Sequence, residues 1–109
     1  MKRSEINRLI EETKKVLHEN NITLPPFAYW GPEDWGGKGG ECDEIRKCML
    51  GWDITDFGRG DFSKLGLILF TIRNGNLEDV AKGGKNYCEK IMKLEEGQSC
   101  PMHYHFQLE

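Results

Sequence analysis

Leu65-Gly66-Leu67-Ile68-Leu69-Phe70-Thr71-Ile72-Arg73 is the stretch on which the fold turns. Its residues Leu65 to Ile72 are the longest apolar run in the chain, of strand length and far short of a membrane span. It is too apolar for a surface edge, so it reads as a strand buried on both faces. Asn74-Gly75-Asn76 closes it with a strong turn signal. Downstream, residues 87–94 read as the next strand, Glu96-Gly97 as the turn after it, and residues 102–106 as a further strand.

Upstream, Gly51-Trp52-Asp53-Ile54-Thr55-Asp56-Phe57 alternates large apolar with polar residues, as a half-buried strand does. Gly58-Arg59-Gly60-Asp61 is a turn. Its Arg-Gly-Asp triplet resembles a cell-adhesion signal, but turn chemistry accounts for it. Asp43 to Leu50 suggests a short helical turn, and residues 31–41, with five glycines and one proline, a flexible surface loop. Gly36-Gly37-Lys38-Gly39-Gly40 is only superficially a phosphate-cradling loop, because glycine follows the lysine where Ser or Thr is required. Leu24-Pro25-Pro26-Phe27 is expected to be extended, since each proline fixes its own φ and disfavours helix in the residue before it.

Residues 4–20 read as a helix. Ile6, Leu9, Ile10, Thr13, Val16 and Leu17 recur at helical spacing and form one stripe for packing. Ser4 is the expected N-cap, Glu5 sits at the positive end of the dipole, and Asn20-Asn21 is the expected stop. The pattern is α+β leaning all-β: an N-terminal helix followed by antiparallel strands.

The 109 residues fit one domain. A net charge of −3 argues against a general nucleic-acid binder, which needs a basic surface to neutralise phosphates. The N-terminus leads into an amphipathic, charged segment and not into the apolar stretch of a secretory signal, so a cytoplasmic protein with no membrane partner is expected. The cysteines at 42, 48, 88 and 100 form no Cys-x-x-Cys pair, which leaves zinc-ribbon and thioredoxin readings without support. Free, partly buried thiols are expected.

His103-x-His105 is the strongest functional signal. On a strand both histidines point to one face, with Cβ atoms about 7 Å apart. Two imidazoles at that separation can converge on one cation at about 2.1 Å. Met102, Tyr104 and Phe106 fall on the opposite face, and Pro101 suits a strand start. On spacing alone, two surface histidines near a chain end remain the plainer reading. Gly97 changes the weighting: five residues separate it from His103, and Gly-x5-His-x-His is the first half of the cupin metal signature.

Taken in order, further blocks identify the family. They are Met1-Lys2-Arg3-Ser4 with its helix, Leu24-Pro25-Pro26-Phe27-Ala28, and Leu50-Gly51-Trp52-Asp53-Ile54-Thr55-Asp56-Phe57-Gly58. Gly66-Leu67, Leu69-Phe70-Thr71 and Arg73-Asn74-Gly75-Asn76 follow. Tyr87, Glu89-Lys90-Ile91-Met92 and Pro101-Met102-His103-Tyr104-His105-Phe106 complete the set. The chain resembles the D-lyxose ketol-isomerase family of cupins. The resemblance implies a double-stranded β-helix (jelly-roll) barrel, with residues 1–23 as helix, 24–64 as extended and loop segments and 65–106 as barrel strands. It implies an aldose–ketose isomerase acting on a small sugar, with His103 and His105 on a divalent metal, manganese first and zinc second. Lys90 matches a family lysine in the sugar pocket; a solvated strand lysine is the equal alternative. No catalytic residue is assigned.

Members of the family are longer, and the resemblance implies that two further metal ligands and half the barrel follow the segment seen here. Glu109, with three residues between it and His105, fits the general cupin spacing. The isomerases place their ligand glutamate one position later, after a lysine. Leu108-Glu109 also matches a common cloning scar, and a scar or an accident of truncation is favoured over a ligand. A half barrel exposes strand edges and an apolar face, so a homodimer is expected.

Overall fold

The computed structural model describes residues 1–102. It holds an N-terminal helix, a three-stranded antiparallel sheet and several short helical turns between them.

Helix α1 spans Arg3–Glu19. It starts before Ser4: Lys2 is the N-cap, without a side-chain cap, and its carbonyl accepts the Ile6 N–H at 3.1 Å. Ser4 is therefore already inside the first turn, which corrects its expected capping role. The apolar stripe packs as its spacing predicts, with Leu9, Thr13 and Leu17 buried. Thr13 tolerates burial because its hydroxyl donates to the Leu9 carbonyl at 2.7 Å. The end lies where Asn20-Asn21 foretells it. Asn20 Nδ2 donates to the Val16 carbonyl at 2.8 Å, and Asn21 takes a left-handed φ of 60°.

The proline segment is only half extended. Pro25 has φ −57° and ψ 154°, but Pro26–Tyr29 closes a 3-10 turn. A proline in a first helical position lacks an N–H that would go unused there anyway, and its φ suits the turn. The same device overturns the loop expected over residues 31–41. Helix α2, Pro32–Gly36, begins on Pro32, and the Asp34 carboxylate accepts the Gly31 N–H at 2.9 Å. Trp35 then packs edge-on to Trp30 at 4.9 Å between ring centroids. Gly40–Cys42 adds a second 3-10 turn, and α3 follows at Asp43–Lys47, as expected.

Strands β1 (Gly51–Thr55), β2 (Leu67–Arg73) and β3 (Glu89–Lys93) lie in the order β1-β2-β3. Register places Trp52 opposite Phe70, and Phe70 opposite Ile91. This row faces Leu17, Leu24, Ala28 and Phe27 and forms the core. Phe70, 1% exposed, meets Trp52 edge-on at 5.1 Å and Phe27 in a tilted contact at 5.2 Å between ring centroids. The Trp52 indole donates to the Ala28 carbonyl at 3.0 Å, which ties the 3-10 turn to the sheet. On the other face stand Leu67, Leu69 and Thr71 of β2 with Lys90 and Met92 of β3. Residues Leu67, Ile68, Phe70 and Thr71 are buried, so β2 is covered on both faces as its sequence predicts.

The other strands are shorter than expected. β1 stops at Thr55 because Phe57 and Gly58 take positive φ of 55° and 73°. The Asp56 carboxylate and carbonyl then accept the Gly58 and Arg59 N–H groups, the turn read at residues 58–61. After β2, Asn76 caps a short helix α4, Leu77–Val80, by accepting the Asp79 N–H at 2.9 Å. That helix is absent from the sequence reading. All four cysteines are free thiols, with Cys42 and Cys48 buried and Cys88 and Cys100 exposed, in line with expectation. Among the described residues no helix is long and apolar enough to cross a membrane.

Phe70→Ala is expected to cost about 3–5 kcal/mol, the range for emptying a fully packed aromatic site. Urea unfolding measures it; a loss below about 1 kcal/mol would show that Phe70 is not the core's anchor.

Candidate metal centre and sugar-binding face

His103, His105 and Glu109 lie outside the described residues. What the structure describes is the scaffold that delivers the chain to them. After β3 the backbone reverses through Gly97, whose φ of 79° is the left-handed conformation that glycine adopts without penalty. The turn closes on itself: the Gln98 N–H donates to the Glu95 carbonyl and the Glu95 N–H to Gln98 Oε1, both at 3.0 Å.

Gln98 then anchors the outgoing segment. Its side-chain amide donates to the Phe62 carbonyl at 2.7 Å, across 36 residues of sequence. Ser99 forms a parallel bridge with Leu65. Its N–H donates to the Lys64 carbonyl at 2.8 Å, and its carbonyl accepts the Gly66 N–H at 3.1 Å. The start of the apolar run at Leu65-Gly66 is therefore not part of β2; it is spent on holding the residues that lead to the histidines. Gly66 is needed for this approach. A Cβ there would stand 2.5 Å from the Phe62 carbonyl oxygen and 2.9 Å from Gln98 Nε2. Sequence reasoning missed Gln98 and Gly66. The available signal was an isolated glycine beside a strand, which often marks a close backbone approach.

Lys90 is half-buried on β3, directly opposite the buried Thr71. Strand alternation sets it on the face turned away from α1 and the aromatic core. Its neighbours on that face are Leu69, Thr71 and Met92, a mixed apolar and hydroxyl set.

The remaining clefts and perturbed charges lie elsewhere. A cleft of about 720 Å³ opens between α1 and β1, lined by Ile6, Ile10, Trp30, Trp35, Trp52 and Ile54 on the core side of the sheet. Among the described residues no three His, Cys, Asp or Glu side chains gather as metal ligands. The Asp79 carboxyl is held below the usual carboxylate range, first by the Lys47 ammonium at 3.0 Å and then by Asn76. Lys47 is raised in return. These exposed pairs join α3 to α4; they fasten a corner and mark no active site.

Gly66→Ala is expected to cost about 1–3 kcal/mol through overpacking against Phe62 and Gln98, read as a shifted urea midpoint. At the α3–α4 corner the sign follows from the depressed Asp79 value. Its contribution to stability is complete above 3.8 and is lost as pH falls through the lower folded value. Carboxyl NMR titration should show an Asp79 midpoint below 3.8 that rises in Lys47→Met. An unchanged midpoint in that variant would remove Lys47 as the cause.

Known proteins resemble this chain over nearly its whole length. The family described as D-lyxose isomerase matches residues 1–108. A D-lyxose/D-mannose isomerase of Escherichia coli O157:H7 is 41% identical over 111 residues, covering 98% of this chain and 47% of the relative. A D-lyxose/D-mannose isomerase of Serratia proteamaculans is 39% identical over 112 residues, again covering 98% and 47%. The chain thus spans about half the length of these curated relatives. With the blocks in order from the helix to the histidine motif, the chain belongs to the D-lyxose isomerase family.

Proposed function

We propose that this chain is the metal-binding N-terminal part of an aldose–ketose isomerase that interconverts D-lyxose and D-xylulose through an enediol. The observation that carries this reading is the family match over residues 1–108, with relatives named for D-lyxose and D-mannose. The two aldoses share their configuration from C2 to C4, so a site that reads those carbons accepts either. Helix and sheet are proposed to form one wall of a cupin barrel in a cytoplasmic enzyme.

His103 and His105 are proposed to hold a divalent cation. Two imidazoles are donors that suit zinc, while the family resemblance favours manganese. When bound, the ion would supply Lewis-acid polarisation of a sugar oxygen and a template for the neighbouring hydroxyl. The chain's own residues do the positioning. Gly97 and Gln98 deliver the histidine segment, Gly66 lets it come close, and Lys90 offers an ammonium donor to a sugar oxygen. Lys90 is proposed to bind the sugar, not to move the proton.

A second reading is a metal- or sugar-binding module without turnover. Both readings share His103, His105 and Lys90 and differ only in whether the bound sugar is turned over. Conversion of D-lyxose to D-xylulose with added manganese separates the two. The isomerase reading predicts turnover that His103→Ala abolishes and that Lys90→Met weakens mainly through KM. Manganese retained by the dialysed chain without turnover would establish the module instead.

A further inference from the structure

The corner where α3 meets α4 holds a smaller cavity, of about 360 Å³. Its polar lining comes from Asn74, Asp79, Lys82 and Lys85, with Cys48 beside them. Small-molecule sites begin at about this size, roughly 300 Å³.

Asn74 is 5% exposed. Its Nδ2 donates to the Cys48 carbonyl at 3.1 Å. That bond fixes which way the amide points, since only the nitrogen can donate to a carbonyl. Oδ1 is therefore an acceptor, and it is buried with no hydrogen-bond partner among the described residues. Buried polar atoms are paired with few exceptions, because an unpaired one loses its hydration for nothing. Asn74 Oδ1 thus calls for a donor that the described chain does not supply.

The charges around it narrow the choice. Asn76 ties Asp79 to Cys48: its Nδ2 donates to Asp79 Oδ2 at 2.7 Å and lies 3.7 Å from Cys48 Sγ. Cys48 in turn holds Asn74, so the carboxylate and the orphan acceptor belong to one cluster. Lys82 and Lys85 bring ammonium donors from the segment after α4. Gly84 presses that segment against the corner. Its N–H donates to the Asp79 carbonyl at 2.6 Å, and a Cβ there would stand 2.7 Å from the same oxygen. Lys85 pairs with Glu44, and Lys82 with Glu78 at 3.7 Å. An ammonium has three N–H donors, so each lysine keeps some to give.

A simple anion would suit the lysines but would meet Asp79 and an acceptor with no proton to share. A metal cation would meet Lys82 and Lys85, and Lys47 already stands 3.0 Å from Asp79. A zwitterion satisfies both groups. Its ammonium donates to Asn74 Oδ1 and faces Asp79, and its carboxylate accepts from Lys82 and Lys85. A free α-amino acid carries both charges on one carbon.

We propose that the cavity formed by Asn74, Asp79, Lys82 and Lys85 binds a small free α-amino acid, with Asn74 Oδ1 receiving its ammonium and the two lysines its carboxylate. The site stands apart from the isomerase reading, since it uses neither the histidines nor Lys90.

Nuclear magnetic resonance of the nitrogen-15-labelled 109-residue chain, titrated with L-alanine, tests it. The side-chain amide of Asn74 and the backbone amide of Gly84 are expected to shift and saturate, with a Kd on the order of millimolar. Propionate and isopropylamine each carry one of the two charges, and D-lyxose carries none. Each is expected to bind there about tenfold more weakly or worse. Lys82→Met, at an exposed position, is expected to raise the Kd for L-alanine about tenfold while the rest of the spectrum keeps its folded dispersion. No saturable shift at Asn74 and Gly84, equal shifts from propionate, isopropylamine or D-lyxose, or a folded Lys82→Met chain that binds as the unaltered one does would each overturn the proposal.

Discussion

The contact between Phe70 and its neighbours Trp52 and Phe27 is the interaction on which the rest depends. An antiparallel pair fixes side-chain faces by its register, and a slip of one residue would turn every apolar side chain of β2 to the wrong side. Phe70, directly opposite Trp52 and Ile91, holds that register from both neighbours. Because Trp52 also donates its indole N–H to Ala28, the same contact sets the 3-10 turn after the prolines, and with it the seat of α1. Once the aromatic face is committed to the helix, Lys90 and Thr71 have only the opposite face to occupy. The separation of the core from the face proposed to bind sugar is thus a consequence of packing at one phenylalanine.

Much of this was legible in the chain. The periodicity of α1, the both-sided burial of β2, the turns at Asn20-Asn21 and residues 58–61, and the left-handed Gly97 follow from spacing and residue type. The errors share a cause. α2, α4 and the 3-10 turn at Pro26–Tyr29 are each set by a single local device, a proline in a first turn or one side-chain cap. Glycine content and a turn motif masked those devices. Ser4 failed as a cap because the helix begins at Arg3, which puts the N-cap two residues upstream, on Lys2.

The candidate site was legible as a motif and not as a place. His-x-His and its preceding glycine are a metal-ligand motif by spacing, but nothing local reveals how the segment leading to them is held. Gln98 reaches Phe62 across 36 residues, and Gly66 clears the space between them. Such pairs emerge only when distant segments meet. They also explain why the apolar run that decides the fold begins with residues outside β2: Leu65 and Gly66 bind the outgoing chain, while Leu67 onward builds the sheet.

The central claim is that this scaffold presents His103 and His105 together to one divalent cation. Pulsed electron paramagnetic resonance of the manganese-loaded chain tests it most directly, because nitrogen couplings count the bound imidazoles. The account predicts couplings from two histidine nitrogens, reduced to one in either His103→Ala or His105→Ala. A spectrum without nitrogen coupling, or one unchanged in both variants, would contradict it.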